Sequence, residues 1–145
     1  MAKKVILLVE DNSDDLELAL LALKANGMEN EAVVARDGQQ ALDFLFAERS
    51  SCEDIPEVVL LDLKLPFVDG FEVLRQLRAN QATRFLPVVI LSSSREERDL
   101  TKCYELGANS YIQKSLDFSK FTESVRQLGQ YWLDLNVVPC TCQRA

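Results

Sequence analysis

Short apolar runs alternate with amphipathic stretches along the whole chain. Val5-Ile6-Leu7-Leu8-Val9, Val58-Val59-Leu60-Leu61 and Val88-Val89-Ile90-Leu91 are apolar throughout, as expected of strands buried on both faces of a parallel sheet. Ala32-Val33-Val34-Ala35 is a weaker strand, and Ser110-Tyr111-Ile112-Gln113 a short fifth one. Between them lie helices. Asn12-Ser13-Asp14-Asp15 supplies cap residues and early negative charge, Leu16, Ala19, Leu20 and Leu23 follow at helical spacing, and Gly27 ends the segment. Asp37-Gly38 turns the chain into a second helix with Ala41, Leu42, Leu45 and Phe46 inward. Ser50 to Pro56 reads as a polar loop, and so does Pro66 to Gly70. Phe71, Leu74 and Leu77 mark the apolar face of a third helix. A polar helix runs from about Glu96 to Leu106 and closes at Gly107, and a long last helix starts between Leu116 and Ser119.

Five strands alternating with five helices predict an α/β fold with a parallel sheet and right-handed crossovers. Five such units are too few for a barrel. The expectation is a doubly wound three-layer α/β/α sandwich occupying residues 1–135, with a tail over 136–145.

Composition narrows the function. The 145 residues are 48% hydrophobic and 27% charged, ordinary for a soluble globular domain. A net charge of −7 and the lack of any long Lys/Arg run argue against a nucleic-acid surface. The apolar runs are far shorter than the roughly 18 residues needed to cross a bilayer. Met1-Ala2-Lys3-Lys4 leads straight into a strand without a leader's cleavage site, so the expected location is cytoplasmic. Cys52, Cys103, Cys140 and Cys142 do not form a disulfide framework or a zinc pattern, and Cys140 and Cys142 read as reduced thiols of the tail. The absence of histidine removes Ser-His-Asp and Cys-His catalysis and most catalytic zinc sites.

The candidate chemistry stands at the strand ends. In open α/β sheets ligands bind outside the carboxyl edge. Glu10 and Asp11 follow the first strand, Asp62 the third, Ser92 the fourth and Lys114 the fifth. Taken singly, each residue reads as a cap, a turn residue or a solvated charge, and Asp14 and Asp15 are assigned to capping. Together, three carboxylates, a hydroxyl and an ammonium call for a compensating cation, and Mg2+ is the simplest one. Asp11 and Asp62 can ligate directly, Glu10 through water, and a backbone carbonyl just past Asp62 can complete the set. Such a site suits phosphoryl transfer to a carboxylate.

These residues resemble the response-regulator receiver domain of two-component signalling. The resemblance rests on Leu8-Val9-Glu10-Asp11-Asn12, Leu60 through Pro66, Asp69-Gly70, Pro87 through Ser92, Gly107-Ala108 and Tyr111-Ile112-Gln113-Lys114, and it covers about residues 4–133. It implies a flavodoxin-like sheet of order 2-1-3-4-5. It implies phosphorylation of Asp62 by a sensor histidine kinase, with Mg2+ held by Glu10, Asp11, Asp62 and the Lys64 carbonyl. Ser92 and Lys114 would bind the phosphoryl group, and Ser92 and Tyr111 would form the switch, Tyr111 turning inward. One departure is Ser115 after Lys114, where the family usually has proline; a trans bond is expected there, because a cis bond before a non-proline costs about 2.5–4 kcal/mol.

The last helix carries Phe121, Val125, Leu128, Trp132 and Leu135 at heptad-like spacing. Its first part should cover the sheet. Its end, with Tyr131, should project beyond the domain edge as an interaction patch, and homodimerisation is expected through this whole seam and the face of the fifth strand. The Tyr131-Trp132-Leu133 and Asn136-Val137-Val138-Pro139 segments are similar to the small cyanobacterial regulators that serve phytochrome kinases, which implies a phytochrome partner and no attached output domain. Two other readings stay open: a phosphorylation-independent dimeric scaffold, and an Asp-nucleophile phosphohydrolase. The second lacks its usual acid/base Asp, because Lys64 stands two residues after Asp62. An FMN-binding flavodoxin is disfavoured by the acidic loop after the first strand.

Overall fold

The computed structural model describes residues 4–28, 31–47 and 55–139. Five strands alternate with five helices: β1 (Ile6–Val9), α1 (Ser13–Ala25), β2 (Ala32–Ala35), α2 (Gly38–Leu45), β3 (Val58–Leu61), α3 (Gly70–Ala79), β4 (Val88–Ser92), α4 (Glu97–Glu105), β5 (Ser110–Gln113) and α5 (Phe118–Gly129). A π-helical turn, Gln130–Leu135, continues α5. All strand pairs are parallel, in the order β2-β1-β3-β4-β5. This is the flavodoxin-like α/β/α sandwich expected from the sequence. Most of the Ser50–Pro56 loop, together with Cys52, Cys140 and Cys142, lies outside the described residues.

The apolar runs divide between two cores because strand side chains alternate between faces. Leu7, Val9, Val59, Leu61, Val88 and Ile90 point to one side, where Ala41 and Leu42 of α2, Val73, Leu74 and Leu77 of α3, and Cys103 of α4 pack against them. Ile6, Leu8, Val58, Leu60, Val89 and Leu91 point to the other, beneath Ala19, Ala22 and Leu23 of α1 and Phe121, Val125 and Leu128 of α5. An unbroken apolar run is therefore what a central strand with two covered faces requires. Phe46 departs from expectation: it caps α2 and is exposed rather than inward. Leu16 and Leu20 are only partly buried, and Ala22 takes the central place in α1.

The C-terminal end also differs from the expected continuous helix. The ladder widens after Gly129, where an added Cβ would lie 2.3 Å from the Met28 sulfur. The π turn changes the helical phase, so Leu133, off the expected seam, is the residue that packs back into the core. Lys4 Nζ ties this turn down through the Leu133 carbonyl at 2.7 Å. Phe121, Val125 and Leu128 are buried under their own sheet, so they are not free to form a dimer interface. Trp132 is partly buried against the same core, and of the expected seam only Leu135, with neighbouring Tyr131, is well exposed.

Candidate functional site at the carboxyl edge of the sheet

The strand ladder places the polar residues. Asp62 N donates to the Val9 carbonyl at 3.1 Å and Glu10 N to the Ala35 carbonyl at 3.0 Å, so both continue the pairing one residue beyond their strands. Lys114 N reaches the Ser92 carbonyl at 2.9 Å in the same way. Parallel pairing thus brings Glu10, Asp62, Ser92 and Lys114 to one edge. Glu10, Asp62 and Ser92 are 4%, 7% and 2% exposed, which few unpaired polar side chains tolerate. Gly70 closes the loop over this edge: its N–H donates to the Leu63 carbonyl, and a Cβ there would sit 2.3 Å from the Asp62 carbonyl oxygen. Asp69 starts α3 by accepting from Glu72 N.

Lys114 is the centre of the cluster. Its ammonium lies 2.6 Å from Glu10 Oε1, 2.9 Å from Asp15 Oδ2 and 3.6 Å from Asp62 Oδ2. The other Asp62 oxygen accepts from Leu63 N at 2.9 Å. Glu10 Oε2 accepts from Asn12 N at 3.2 Å. Three carboxylates around one ammonium leave an excess of negative charge. Burial raises the Glu10 carboxyl most; Lys114 pulls it back, Asp62 pushes it up again, and the result is about 7. Burial works against the Lys114 charge, but the hydrogen bonds to Glu10 and Asp15 and the nearby Asp62 outweigh it and hold its pKa up.

The remaining expected residues are arranged less tightly. Asp11 is exposed, and its carbonyl accepts from Arg36. Among the described residues no three acidic, cysteine or histidine side chains stand together at metal-ligand spacing. The carboxylates gather around the Lys114 ammonium, not around a common ligand position. The donors are nonetheless all oxygen, two of the carboxylates are buried, and the local charge is in excess, so a hard divalent cation that keeps several waters suits them. The Lys64 side chain is exposed. The Lys114–Ser115 bond is trans. Tyr111 is turned in: its ring packs partly on the α3–α4 core and its hydroxyl donates to the Ser94 carbonyl at 3.0 Å.

Sequence reasoning missed two participants. Asp15, assigned to capping, uses only its N–H for that purpose, donating to Asn12 Oδ1 at 2.9 Å. Its carboxylate is left to meet Lys114. A second acid one helical turn past Asp11 was the available signal. The second is Ser94, whose links to both Ser92 and Tyr111 have no signature in the sequence.

Known proteins resemble this chain in sequence and in fold. The response regulator receiver domain family matches residues 6–126. The probable methanogenesis regulatory protein FilR2 of Methanothrix harundinacea is 39% identical over 135 residues, 93% of this chain and 87% of its own. The structure of the phosphorylated cyanobacterial phytochrome response regulator RcpA superposes with a TM-score of 0.83 at 37% identity, covering 95% of this chain and 99% of that one. The Mn2+-bound form of response regulator Rcp1 gives 0.79 at 36% identity, covering 94% and 99%. A homologous receiver therefore binds a divalent metal, and another is described in its phosphorylated form. With the match spanning most of its length and the sheet order agreeing, the chain belongs to the response regulator receiver domain family, whose members act as phosphoacceptor switches in phosphorelay signalling rather than as conventional enzymes.

Proposed function

We propose that Asp62 accepts a phosphoryl group from a phosphohistidine of a sensor histidine kinase. The observation that carries this reading is a buried carboxylate at the sheet edge, one oxygen held by the Leu63 N–H and the other facing Lys114 at 3.6 Å. An Asp62 oxygen attacks phosphorus, an O–P bond forms, and the P–N bond breaks with its electron pair returning to the donor imidazole. Lys114 pairs with the charge on the transferred group. The Ser92 oxygen accepts from Ser94 N at 3.1 Å, which leaves its proton to donate to a phosphoryl oxygen.

Mg2+ would be held by Glu10, Asp11, Asp62 and the Lys64 carbonyl. It would supply neutralisation of the carboxylates and of the equatorial phosphoryl oxygens. In support, Glu10 and Asp62 are already adjacent and under-compensated. The likeness to RcpA and Rcp1 supports a kinase of the phytochrome class as partner. The net charge of −7 supports a protein partner over nucleic acid. No described helix is long and apolar enough to cross a membrane, and a cytoplasmic location fits a kinase-facing switch. The receiver unit is taken to run through Leu135. Homodimerisation is assigned to the exposed C-terminal patch of Tyr131 and Leu135, with Trp132 beside them, in place of the whole seam.

The decisive experiment is radiolabelling by a phosphorylated histidine kinase. Wild type is expected to take label in Mg2+, and Asp62→Asn to take none. Equal labelling of Asp62→Asn overturns the assignment. Sedimentation over a concentration series tests the dimer, and a monomer at every concentration removes it.

A further inference from the structure

Every polar group of Ser94 is engaged, and its partners belong to three different elements. Its N–H donates to Ser92 Oγ on β4 at 3.1 Å. Its carbonyl accepts from the Tyr111 hydroxyl on β5 at 3.0 Å. Its own hydroxyl donates to Asp99 Oδ2 on α4 at 2.6 Å and accepts from Glu96 N at 3.3 Å. Residues 93–96 have no regular backbone ladder, so these bonds decide where the segment sits.

We propose that Ser94, anchored by Asp99, is a positioning residue that presets Ser92 and Tyr111 for the phosphorylated site. The proposal rests on Asp62 as phosphoacceptor and deepens that reading. A serine hydroxyl has one proton and two lone pairs. With one lone pair of Ser92 taken by the Ser94 N–H, its rotor is set so that the proton is free for an acceptor. The same peptide segment offers Tyr111 an acceptor that keeps the phenol inward. The two groups are therefore coupled through one residue. The Ser94–Asp99 bond is short and charge-assisted, the strongest of the four contacts. It fixes the segment to the first turn of α4, a helix whose N-cap Glu96 makes no side-chain cap bond. Without the anchor, Ser94 loses its fixed place, and both the Ser92 rotor and the Tyr111 acceptor lose theirs.

The test uses the full chain and two readouts. In protein carrying 3-fluorotyrosine, without any phosphoryl analogue, fluorine NMR reports the three tyrosines, and Tyr111→Phe assigns the relevant signal. Asp99→Ala and Ser94→Ala should move the Tyr111 signal toward a solvent-averaged position. Asp99→Asn, which keeps an acceptor for the Ser94 hydroxyl, should leave it as in wild type. Titration with beryllium trifluoride and Mg2+, a phosphoryl mimic, should show affinity weakened about five- to tenfold in both alanine variants, the scale of one lost hydrogen bond. Asp99→Asn should stay within about twofold of wild type. Ser94→Ala keeps the N–H and carbonyl and carries the test if Asp99→Ala does not fold. An unmoved Tyr111 signal with unchanged affinity in the alanine variants overturns the anchoring role, and so does failure of Asp99→Asn to rescue. If wild type itself does not bind the mimic, the phosphoacceptor reading fails, and the fluorine signals still decide whether Ser94 positions Tyr111.

Discussion

Arg78 and Lys114 are cations in similar half-buried settings at opposite edges of one sheet, and their partners differ in kind. Arg78, at the amino edge, donates to the carbonyls of Gly107 at 2.9 Å and Leu86 at 2.8 Å, and to Asn109 Oδ1 at 2.9 Å. These acceptors are neutral, and Asn109 Oδ1 also takes the first N–H of β4. Burial disfavours the Arg78 charge, but a guanidinium does not give up its proton in a protein. Lys114, at the carboxyl edge, is shared by Glu10, Asp15 and Asp62. Each of those partners is a carboxylate that can take up a proton, Glu10 and Asp62 are proposed metal ligands, and Asp62 is the proposed phosphoacceptor. The first arrangement is a fixed staple. The second is an equilibrium among charges that a ligand can redistribute, and this is what a switch requires.

The largest effect is expected at the staple. Arg78→Ala leaves several acceptors unpaired at the entrance to β4 and β5 and should cost about 3 kcal/mol of stability. The loss should be the same at pH 5.5 and pH 8, since no carboxylate is among these partners. Urea denaturation at the two pH values measures it, and a pH-dependent loss would break the comparison.

At the other edge stability should follow pH. The folded protein holds a proton on Glu10 up to about pH 7, whereas an ordinary carboxyl releases it near 4.5. Between those values the native state binds more protons than the unfolded chain, so metal-free protein loses stability as pH rises through the window and gains it as pH falls. The slope is at most about 1.4 kcal/mol per pH unit, and a total of about 2 kcal/mol is expected. Glu10→Gln should flatten the profile. A wild-type profile that rises across the window, or one unchanged by Glu10→Gln, would contradict the charge excess.

The two edges also differ in backbone strain. At the amino edge the left-handed positions are glycines, Gly27 at φ +72° and Gly107 at φ +101°, the latter lying against the Arg78 side chain. In the loop over Asp62 the left-handed position is Phe67 at φ +67°, an aromatic 89% exposed with little packing in return. Phe67→Gly should stabilise the protein by about 1 kcal/mol, less the entropy glycine adds to the unfolded chain. Thermal melting measures it, and no gain would mean that the ring has contacts that offset the strain.

What was legible in the sequence follows the same division. Strand ends were readable because apolar runs stop at one polar residue, and parallel pairing then forces Glu10, Asp62, Ser92 and Lys114 to one edge. The π turn was not readable. Phe121, Val125, Leu128, Trp132 and Leu135 keep a helical period through Gly129, and the close approach of Gly129 to Met28, 101 positions apart in sequence, leaves no mark on that period. The Lys114 partners were half readable. Composition demands a counter-charge for the acids, but spacing cannot say which side of α1 faces the sheet edge. Asp15 therefore reads as a cap, although its cap bond uses the backbone and frees the side chain.

Asp15 gives the smallest effect and the finest test. Its carboxylate is 39% exposed, so its bond to Lys114 is screened by water and salt. Asp15→Asn keeps the N–H that caps α1 and removes one of three negative charges around the ammonium. A change of about 0.5 kcal/mol or less is expected in low salt, vanishing in high salt. Its sign is informative. If three carboxylates over-fill the Lys114 site, removing the most exposed one lowers their mutual repulsion, and the Glu10 pH profile should shift toward lower pH. If Asp15 instead serves mainly to hold the ammonium away from Asp62, the profile stays in place and affinity for the phosphoryl mimic rises. Titration of Glu10 by carbon-13 NMR in the variant separates the two, and so decides whether Asp15 is part of the charge equilibrium or a brace for Lys114.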